Sequence, residues 1–299
     1  MYLVQPFETS ANRVFTTSTF VTSFAGYKER NGGQNCCQTL WDVDVANTRD
    51  VRRSARAKEM KILKNTYDTY ADEFVNLLDE DREKKFSLYH SFIVPTFLYI
   101  VGEVRGLRIL DAGCGEGSIS RILSEKGGII VGIDIAPRLI DYARNRDVSH
   151  KTKYMVYDLS TPLPEYENRF DLVVSNLVLD DVPDYIGFIS TISVLLKLGG
   201  RAVFSLNNPY SAVIRGKVNN YFNSETSILY NGLSSRGVKV YYFHRTLETY
   251  MREFHNNGFR LETLSDVRPT DEMINELDPE RYGRFYHFPF FMMMAFRKT

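Results

Sequence analysis

Cysteine is scarce in this chain of 299 residues, which contains only three. Two of them, Cys36 and Cys37, are adjacent, so the chain lacks the cysteine pattern of a disulfide-stabilised secreted domain. A reducing compartment is the simplest setting for this composition, and we predict a cytoplasmic location. The third cysteine, Cys114, lies between two glycines, and we interpret it as a small residue that fits there rather than as a nucleophile.

Net charge is also lacking, because 37 basic residues balance 37 acidic ones. A balanced chain provides no overall attraction for nucleic acid, so we expect no nucleic-acid partner. No apolar run is long enough to cross a bilayer, so we also expect no membrane partner. The apolar segment Phe288–Phe296 is short and is typical of a buried strand.

Glycine, in contrast, is concentrated in one turn. Leu107–Leu110 is apolar and of strand length, Gly113, Gly115 and Gly117 follow at alternate positions, and residues 118–123 have helical character. Glycine permits positive φ and lacks a Cβ, and a helix N-terminus presents unpaired N–H groups. The pattern predicts a strand, a turn and a helix whose backbone contacts a ligand; a tight turn without a ligand is the alternative.

The nature of that ligand depends on the position of the third glycine. A dinucleotide fingerprint places it at position 118, where this chain has Ser118. With Asp111 before the glycines, the pattern D-x-G-x-G-x-G resembles motif I of the class I S-adenosylmethionine (SAM) methyltransferases. The resemblance implies SAM as the cofactor, held by residues Asp111, Ala112, Gly113 and Gly115, and no metal ion. A nicotinamide-dependent oxidoreductase is a rival interpretation.

Two further strands end in an acidic residue. Ile129–Ile135 contains Asp134, about twenty residues after the first glycine, where nucleotide-binding α/β folds place an acid that accepts hydrogen bonds from ribose hydroxyls. The resemblance assigns Asp134 and Ile135 to the cofactor. It also implies that Asp158, in the strand Tyr154–Leu159, approaches the adenine amino group and that the backbone of Leu159 contributes.

A fourth strand, Phe170–Asn176, resembles the family's F-D-x-V segment, and Asn176 is assigned to the cofactor site. The residues after it should line the cleft at the carboxyl end of the sheet, where ligands bind in open α/β folds. Asp180 and Asp181 are therefore candidates for a substrate contact or a general base. The alternative is that they cap a helix beside Pro183.

The fold class follows from the alternation of strands and helices between residues 107 and 206. The chain is predicted to form a Rossmann-like three-layer α/β sandwich with a mostly parallel seven-stranded sheet, whose last strand is antiparallel. The remaining elements are a helix at Tyr185–Leu196, a fifth strand at Arg201–Leu206, a sixth at Gly258–Leu264, a helix at Asp271–Tyr282 and a seventh strand at Phe288–Phe296.

The first 59 residues form an extension of unclear order, and residues 60–299 are predicted to form the methyltransferase domain. A start codon assigned too early, with Met60 as the functional start, is an alternative. Tyr67–Phe74 resembles the Y-D-x-x-A opening of small-molecule methyltransferases, where aromatic residues help to close over SAM, so Tyr67 is a substrate-site candidate. An amphipathic helix that only packs its aromatic face explains the same pattern. A second helix is predicted at Tyr89–Glu103.

An insertion interrupts the alternation after the fifth strand. Residues 209–243 are rich in polar and aromatic side chains and resemble the substrate lid of the small-molecule members, so we predict a helical lid in which Tyr210 contacts substrate. The phrase H-R-T-L that follows also resembles this branch and is predicted to begin a helix at His244. Because its pKa suits proton transfer, His244 is the leading candidate for a general base.

The resemblance implies transfer of the SAM methyl group to an O or N atom of a small molecule by a monomer or homodimer. One alternative is a SAM-binding protein that does not transfer methyl groups and uses its pocket for other chemistry or for partner binding. Another is a nucleic-acid or protein methyltransferase. The sequence Asn207–Tyr210 is similar to the N-P-P-Y motif of those enzymes, but it follows the fifth strand rather than the fourth.

Overall fold

The main sheet reproduces the alternation of apolar runs that the sequence shows. A computed structural model of the protein describes residues 66–84, 87–223, 226–231, 239–269 and 287–299. Its strands are β1 (Arg108–Ala112), β2 (Ile129–Asp134), β3 (Lys153–Val156), β4 (Phe170–Asn176), β5 (Leu196–Asn207), β6 (Thr226–Asn231), β7 (Lys239–His244), β8 (Phe259–Asp266) and β9 (Phe291–Lys298).

Helices connect these strands. They are α1 (Ala71–Glu83), α2 (Val94–Val101), α3 (Ser118–Glu125), α4 (Pro137–Arg146), α5 (Tyr185–Leu195), α6 (Pro209–Ile214) and α7 (Leu247–Asn256). The helix predicted at Tyr89–Glu103 is a π-helical turn, Leu88–Ile93, that continues directly into α2. No helix among these described residues is both long and apolar enough to cross a bilayer.

Seven of the strands form one sheet, in the order β3-β2-β1-β4-β5-β9-β8. The first five are parallel, and β9 is antiparallel to both of its neighbours. The prediction of a mostly parallel sheet with a reversed last strand is confirmed. Strand order reverses between β1 and β4, and in open α/β sheets this switch point opens a crevice at the carboxyl ends of the strands.

Strand residues alternate between two apolar clusters, one on each face of the sheet. Leu110 and Val173 belong to a core covered by α5 and α7, whereas Ile109 and Val174 belong to a core covered by α2 and α3. All four side chains are fully buried. The three-layer sandwich predicted from the sequence is therefore confirmed.

The insertion after β5 contains more than the predicted helix. The short helix α6 is followed by β6 and β7, which form a separate antiparallel pair in which Thr226 lies opposite His244. The prediction that His244 begins a helix is wrong, because the aromatic run Tyr241–Phe243 extends β7 through this residue. The helix α7 begins at Leu247 instead, and Thr246 caps it by accepting a hydrogen bond from Thr249 N.

Two predicted segments lie outside the described residues. These are the extension 1–59 and the helix Asp271–Tyr282. The domain boundary at residue 60 and the role of 209–243 as a lid therefore stay predictions.

Four phenylalanines pack between α7 and the antiparallel end of the sheet, which consists of β5, β9 and β8. The ring of Phe254 in α7 stacks on Phe296 with centroids 4.0 Å apart, and it also contacts Phe204 at 4.8 Å and Phe259 at 5.6 Å. Phe254 is completely buried. Aromatic contacts of this kind add to the stabilisation from burial of their surface.

We expect Phe254→Ala to lower the free energy of unfolding by about 3–5 kcal/mol, because it leaves a cavity among three rings. Denaturant unfolding followed by circular dichroism measures this loss. Tyr99→Ala is the control, since Tyr99 is 87% exposed and its removal should change stability by no more than about 0.5 kcal/mol. Equal losses in the two variants would contradict this account of the core.

Candidate functional site

The glycine turn after β1 is held against the neighbouring strand. Gly113 N and Cys114 N both donate hydrogen bonds to the carbonyl oxygen of Ile133 in β2, at 2.8 and 3.0 Å. Gly115 has a φ of +52°, and a Cβ added there would meet nothing closer than a ring carbon of Phe74 at 3.9 Å. A side chain at Gly115 would thus contact α1, and its absence lets a ligand approach the backbone of the turn closely, as a ligand cradle requires.

Asp134, at the end of β2, joins two loops of the site. Its Oδ2 accepts a hydrogen bond from Gly115 N and its Oδ1 accepts one from Ala136 N, both at 2.9 Å. Burial raises the pKa of Asp134, and these backbone donors partly oppose the rise. Each carboxylate oxygen has more than one lone pair, so both can still accept a hydroxyl donor from a bound ribose.

Asp111 lies beneath the glycine turn rather than at its surface. It is 1% exposed, and Ser120 in the first turn of α3 donates a hydrogen bond to it at 2.6 Å. Burial raises the pKa of Asp111 to about 7, and the charge of Asp134 contributes to the rise. Asp111 therefore ties β1 to the start of α3.

The other cofactor candidates lie along the same edge of the sheet. Asp158 follows β3, where its Oδ1 accepts a hydrogen bond from Ser160 N at 2.9 Å. Asn176, at the end of β4, donates from Nδ2 to the Tyr89 hydroxyl at 2.8 Å. The structure brings together nine predicted residues at the ends of β1 to β4: Asp111, Ala112, Gly113, Gly115, Asp134, Ile135, Asp158, Leu159 and Asn176.

The backbone turns sharply after β4. Leu177 has a φ of +57°, a left-handed conformation that is costly for a residue with a Cβ. Its N–H donates to the carbonyl oxygen and the hydroxyl of Ser205, both at 3.0 Å, and these bonds stabilise the turn. Such strain is concentrated at functional sites, and here it aims the chain into the loop that carries Asp180 and Asp181.

These two aspartates, which we call the acid pair, form the second part of the site. Asp180 is 1% exposed and accepts a hydrogen bond from Asn207 Nδ2, while its Oδ1 has no hydrogen-bond partner among the described residues. Asp181 Oδ2 accepts a hydrogen bond from the Tyr67 hydroxyl at 2.6 Å. Burial and the charge of Asp180 raise the pKa of Asp181 well above its usual range.

A lysine from the insertion faces the acid pair. Burial lowers the pKa of Lys217 to about 8, the charge of Arg215 lowers it further, and the charges of the two aspartates oppose the shift. Its Nζ lies 5.4 Å from the ring centroid of Tyr242. Acids with raised pKa values beside a lysine with a lowered one are typical of sites that transfer protons.

The other proposed catalytic and substrate residues lie on the insertion. His244 is fully buried, with Nε2 2.8 Å from the carbonyl oxygen of Tyr221 and Nδ1 3.4 Å from the hydroxyl of Tyr242. Tyr210 is 49% exposed and stacks on Tyr221 with centroids 4.8 Å apart. The assignment of His244 as a base stays a prediction, and its ring has no open route to an acceptor in this conformation.

Sequence reasoning missed an ion-pair network that ties α1 to the glycine turn. Arg146 in α4 donates to Asp79 in α1 at 2.7 Å and to the buried Glu116 at 3.1 Å. About two turns earlier along the same helix, Arg138 donates to both carboxylate oxygens of Asp72 at 2.8 Å. The basic residues of α4 recur at helical spacing and the acids of α1 do likewise, which is the signal that could have predicted this pairing.

A family model described as a methyltransferase domain matches residues 110–204, which run from β1 through most of β5. The match covers the glycine turn, the acidic strand ends and the acid pair. It does not reach the insertion or the antiparallel end of the sheet.

Curated relatives also match part of the chain. A ubiquinone biosynthesis O-methyltransferase of Coxiella burnetii is 34% identical over 107 residues, which are 35% of this chain and 45% of the relative. A protein of the same name from Xanthomonas campestris is 30% identical over 150 residues, 48% of this chain and 63% of the relative. The chain thus spans about half the length of the curated relatives that it matches.

Solved structures show the same fold over a larger part of the chain. A crystal structure of an S-adenosylmethionine-dependent methyltransferase from Mesorhizobium loti is 25% identical, with a TM-score of 0.54. The superposition covers 68% of this chain and 96% of that one. The Rossmann-like sandwich predicted from the sequence is therefore the class I methyltransferase fold.

The raised pKa of Asp111 predicts a pH-dependent stability. An acid whose folded pKa is about 7 rather than 3.8 binds more protons in the folded state, so its contribution to stability falls as pH rises from about 4 to 7. Asp111→Asn cannot ionise and still accepts from Ser120. Its melting temperature relative to wild type should therefore be higher at pH 8 than at pH 5.

Asp72→Asn is the matched control for this comparison. A hydrogen bond from Tyr142 and the pairing with Arg138 lower the pKa of Asp72 below 3.8, so the residue is ionised throughout this range of pH. The difference in melting temperature between Asp72→Asn and wild type should be the same at pH 5 and pH 8. A flat difference for Asp111→Asn as well would show that Asp111 ionises normally.

Proposed function

We propose that this protein is a class I S-adenosylmethionine-dependent methyltransferase and that it transfers the methyl group of SAM to an oxygen atom of a small molecule. The observation that carries the proposal is the turn at Gly115, where no Cβ keeps a ligand from the backbone and the N–H donates to the carboxylate of Asp134. The relatives named above as O-methyltransferases support an oxygen acceptor.

The cofactor assignments follow the edge of the sheet. We assign the ribose hydroxyls to Asp134, the adenine to Asp158 and Leu159, and the methionine end to the backbone of Gly113 and Gly115. Asp111 supports the turn from below. When SAM is bound, its sulfonium supplies an electrophilic methyl group, so the protein has mainly to orient the acceptor and exclude water.

An oxygen acceptor must lose a proton as it attacks, and the acid pair is suited to accept it. We assign this role to Asp181, whose raised pKa favours proton capture. Asp181 would accept the proton of the acceptor hydroxyl as the methyl group passes from the sulfur of SAM to the acceptor oxygen, with S-adenosylhomocysteine as the second product. Tyr67, which donates to Asp181, and Asp180 are assigned to acceptor binding, with Tyr210 at the outer edge.

Asp181 is a better candidate than His244 for geometric reasons. The Nε2 atom of His244 already contacts the carbonyl oxygen of Tyr221, and the ring is fully buried. Asp181 accepts a hydrogen bond from Tyr67 through Oδ2, and it lies on the loop that follows β4 at the carboxyl end of the sheet. We therefore propose that His244 supports the packing of the insertion.

Asp134→Ala should weaken SAM binding by about 10-fold or more, because hydrogen bonds to a charged carboxylate are worth about 1.5–3 kcal/mol. Calorimetric titration with SAM measures the change, and NAD titrated in parallel should show no binding. Asp171→Ala is the control, since Asp171 bonds Arg108 N at the opposite end of the sheet and should leave affinity unchanged. Unchanged affinity in Asp134→Ala would refute the ribose assignment.

Asp181→Asn should reduce turnover by about 10²–10⁴-fold, the usual contribution of a general base, while SAM affinity stays the same. Production of S-adenosylhomocysteine across a panel of phenols and catechols measures turnover. His244→Gln, which keeps a donor for the Tyr221 carbonyl, should retain most of the activity.

The reverse result, full activity in Asp181→Asn and loss in His244→Gln, would transfer the base role to His244. Tight SAM binding without S-adenosylhomocysteine from any acceptor would instead identify a SAM-binding protein that performs no methyl transfer.

A further inference from the structure

Arg245, which directly follows β7, is the largest fully buried side chain among the described residues. Its guanidinium donates to three backbone carbonyl oxygens. Nη1 bonds Leu179 O at 3.2 Å, and Nη2 bonds Val182 O at 2.6 Å and Pro183 O at 3.2 Å. One side chain from the insertion therefore spans the whole loop that carries the acid pair.

The charge of Arg245 is buried without a directly bonded carboxylate. None of the ion pairs among the described residues includes it, and its Nε atom has no hydrogen-bond partner there. The guanidinium lies instead over the rings of Tyr185 at 4.1 Å and Phe243 at 5.3 Å. A buried cation of this kind costs desolvation energy, so packing alone does not account for it.

The loop itself has few other restraints. Phe243 N donates to the carbonyl oxygen of Asp180 at 2.8 Å, and Asp181 N donates to Val178 O at 2.9 Å. With the three bonds from Arg245, the carbonyl groups on both sides of Asp181 are held. The position of the Asp181 carboxylate therefore depends on Arg245.

We propose that Arg245 is the positioning residue of the acid pair and fixes the backbone of residues 179–183 through its planar guanidinium. This inference rests on the proposed role of Asp181 as the base. It assigns a function in proton transfer to the arginine of the H-R-T-L phrase, a residue that does not itself touch the acceptor.

The charged and titratable groups that face the acid pair determine whether the ionisation of Asp181 is favoured or opposed. Lys217 and Arg245 favour ionisation of Asp181, whereas the charge of Asp180 opposes it, and the Tyr67 hydroxyl donates to the ionised form. Burial raises the pKa of Asp180, and the hydrogen bond from Asn207 and the charge of Arg245 partly oppose the rise. Tyr250 also belongs to these groups, because it interacts with the charges of Arg245 and Asp180. Removing the positive charge should therefore shift the ionisation of Asp181 to higher pH.

Two substitutions separate position from charge. Arg245→Lys keeps the charge, but a single ammonium group cannot reproduce the planar fork that spans three carbonyls. It should lower kcat by about 100-fold, as expected for a small displacement of a catalytic group. The KM for SAM should not change, and the acidic limb of the pH–rate profile should stay at its wild-type pH. Arg245→Met should lower kcat and also move that limb to higher pH.

Arg201→Lys is the matched control. Arg201 also donates to two backbone carbonyls, Ile100 O at 2.7 Å and Val101 O at 3.1 Å, but it lies in the middle of β5, six residues before Asn207, which donates to Asp180. Its replacement should change the melting temperature without altering kcat or the pH profile. Melting temperature and SAM affinity verify that each variant is folded, and if Arg245→Met does not fold, Arg245→Lys carries the test.

Titration of the aspartate carboxyl carbons by ¹³C NMR tests the same inference without an acceptor. The midpoint of Asp181 should stay near its wild-type pH in Arg245→Lys and rise in Arg245→Met. If no acceptor is ever methylated, this shift still supports the link between Arg245 and Asp181, and only the proposed function fails. Wild-type kcat in folded Arg245→Lys, or an unshifted midpoint in Arg245→Met, would overturn the positioning role.

Discussion

The attachment of the glycine turn to β2 is the constraint on which the rest of the site depends. The Ile133 carbonyl accepts two N–H groups from the turn, and the Asp134 carboxylate accepts the N–H of Gly115. Because β1 and β2 are parallel and in register, the pairing of these two strands brings the groups together. The turn is therefore rigid before any ligand arrives, which lowers the entropy lost on binding.

The acid pair shows a different construction. Asp180 and Asp181 sit on a loop that has no regular structure of its own, so distant side chains hold it. Tyr67 comes from the N-terminal helical segment and Arg245 from the far side of the insertion. The two halves of the site thus differ, since backbone bonds to the neighbouring strand build the proposed cofactor half and side chains from remote segments build the proposed acceptor half.

This difference explains which parts of the site could be predicted from the sequence. Glycine spacing and Asp134 are predictable because a strand, a turn and the next strand lie close together in the chain. The pairing of β6 with β7 and the carbonyl contacts of Arg245 depend on an insertion with little periodicity, so no local pattern reveals them. His244 was misplaced for the same reason, because the capping residue Thr246 was not recognised as the true helix start.

The N-terminal helical segment, residues 66–83, contacts both parts of the site. A ring carbon of Phe74 lies 3.9 Å from the position that a Cβ of Gly115 would occupy, while the Tyr67 hydroxyl donates to Asp181. Under the proposed assignments, a displacement of this segment would therefore alter the cofactor side and the environment of the proposed base together. The partly exposed pairs that Arg138 and Arg146 make with this segment are individually weak, so such a displacement would cost less than a disruption of the sheet.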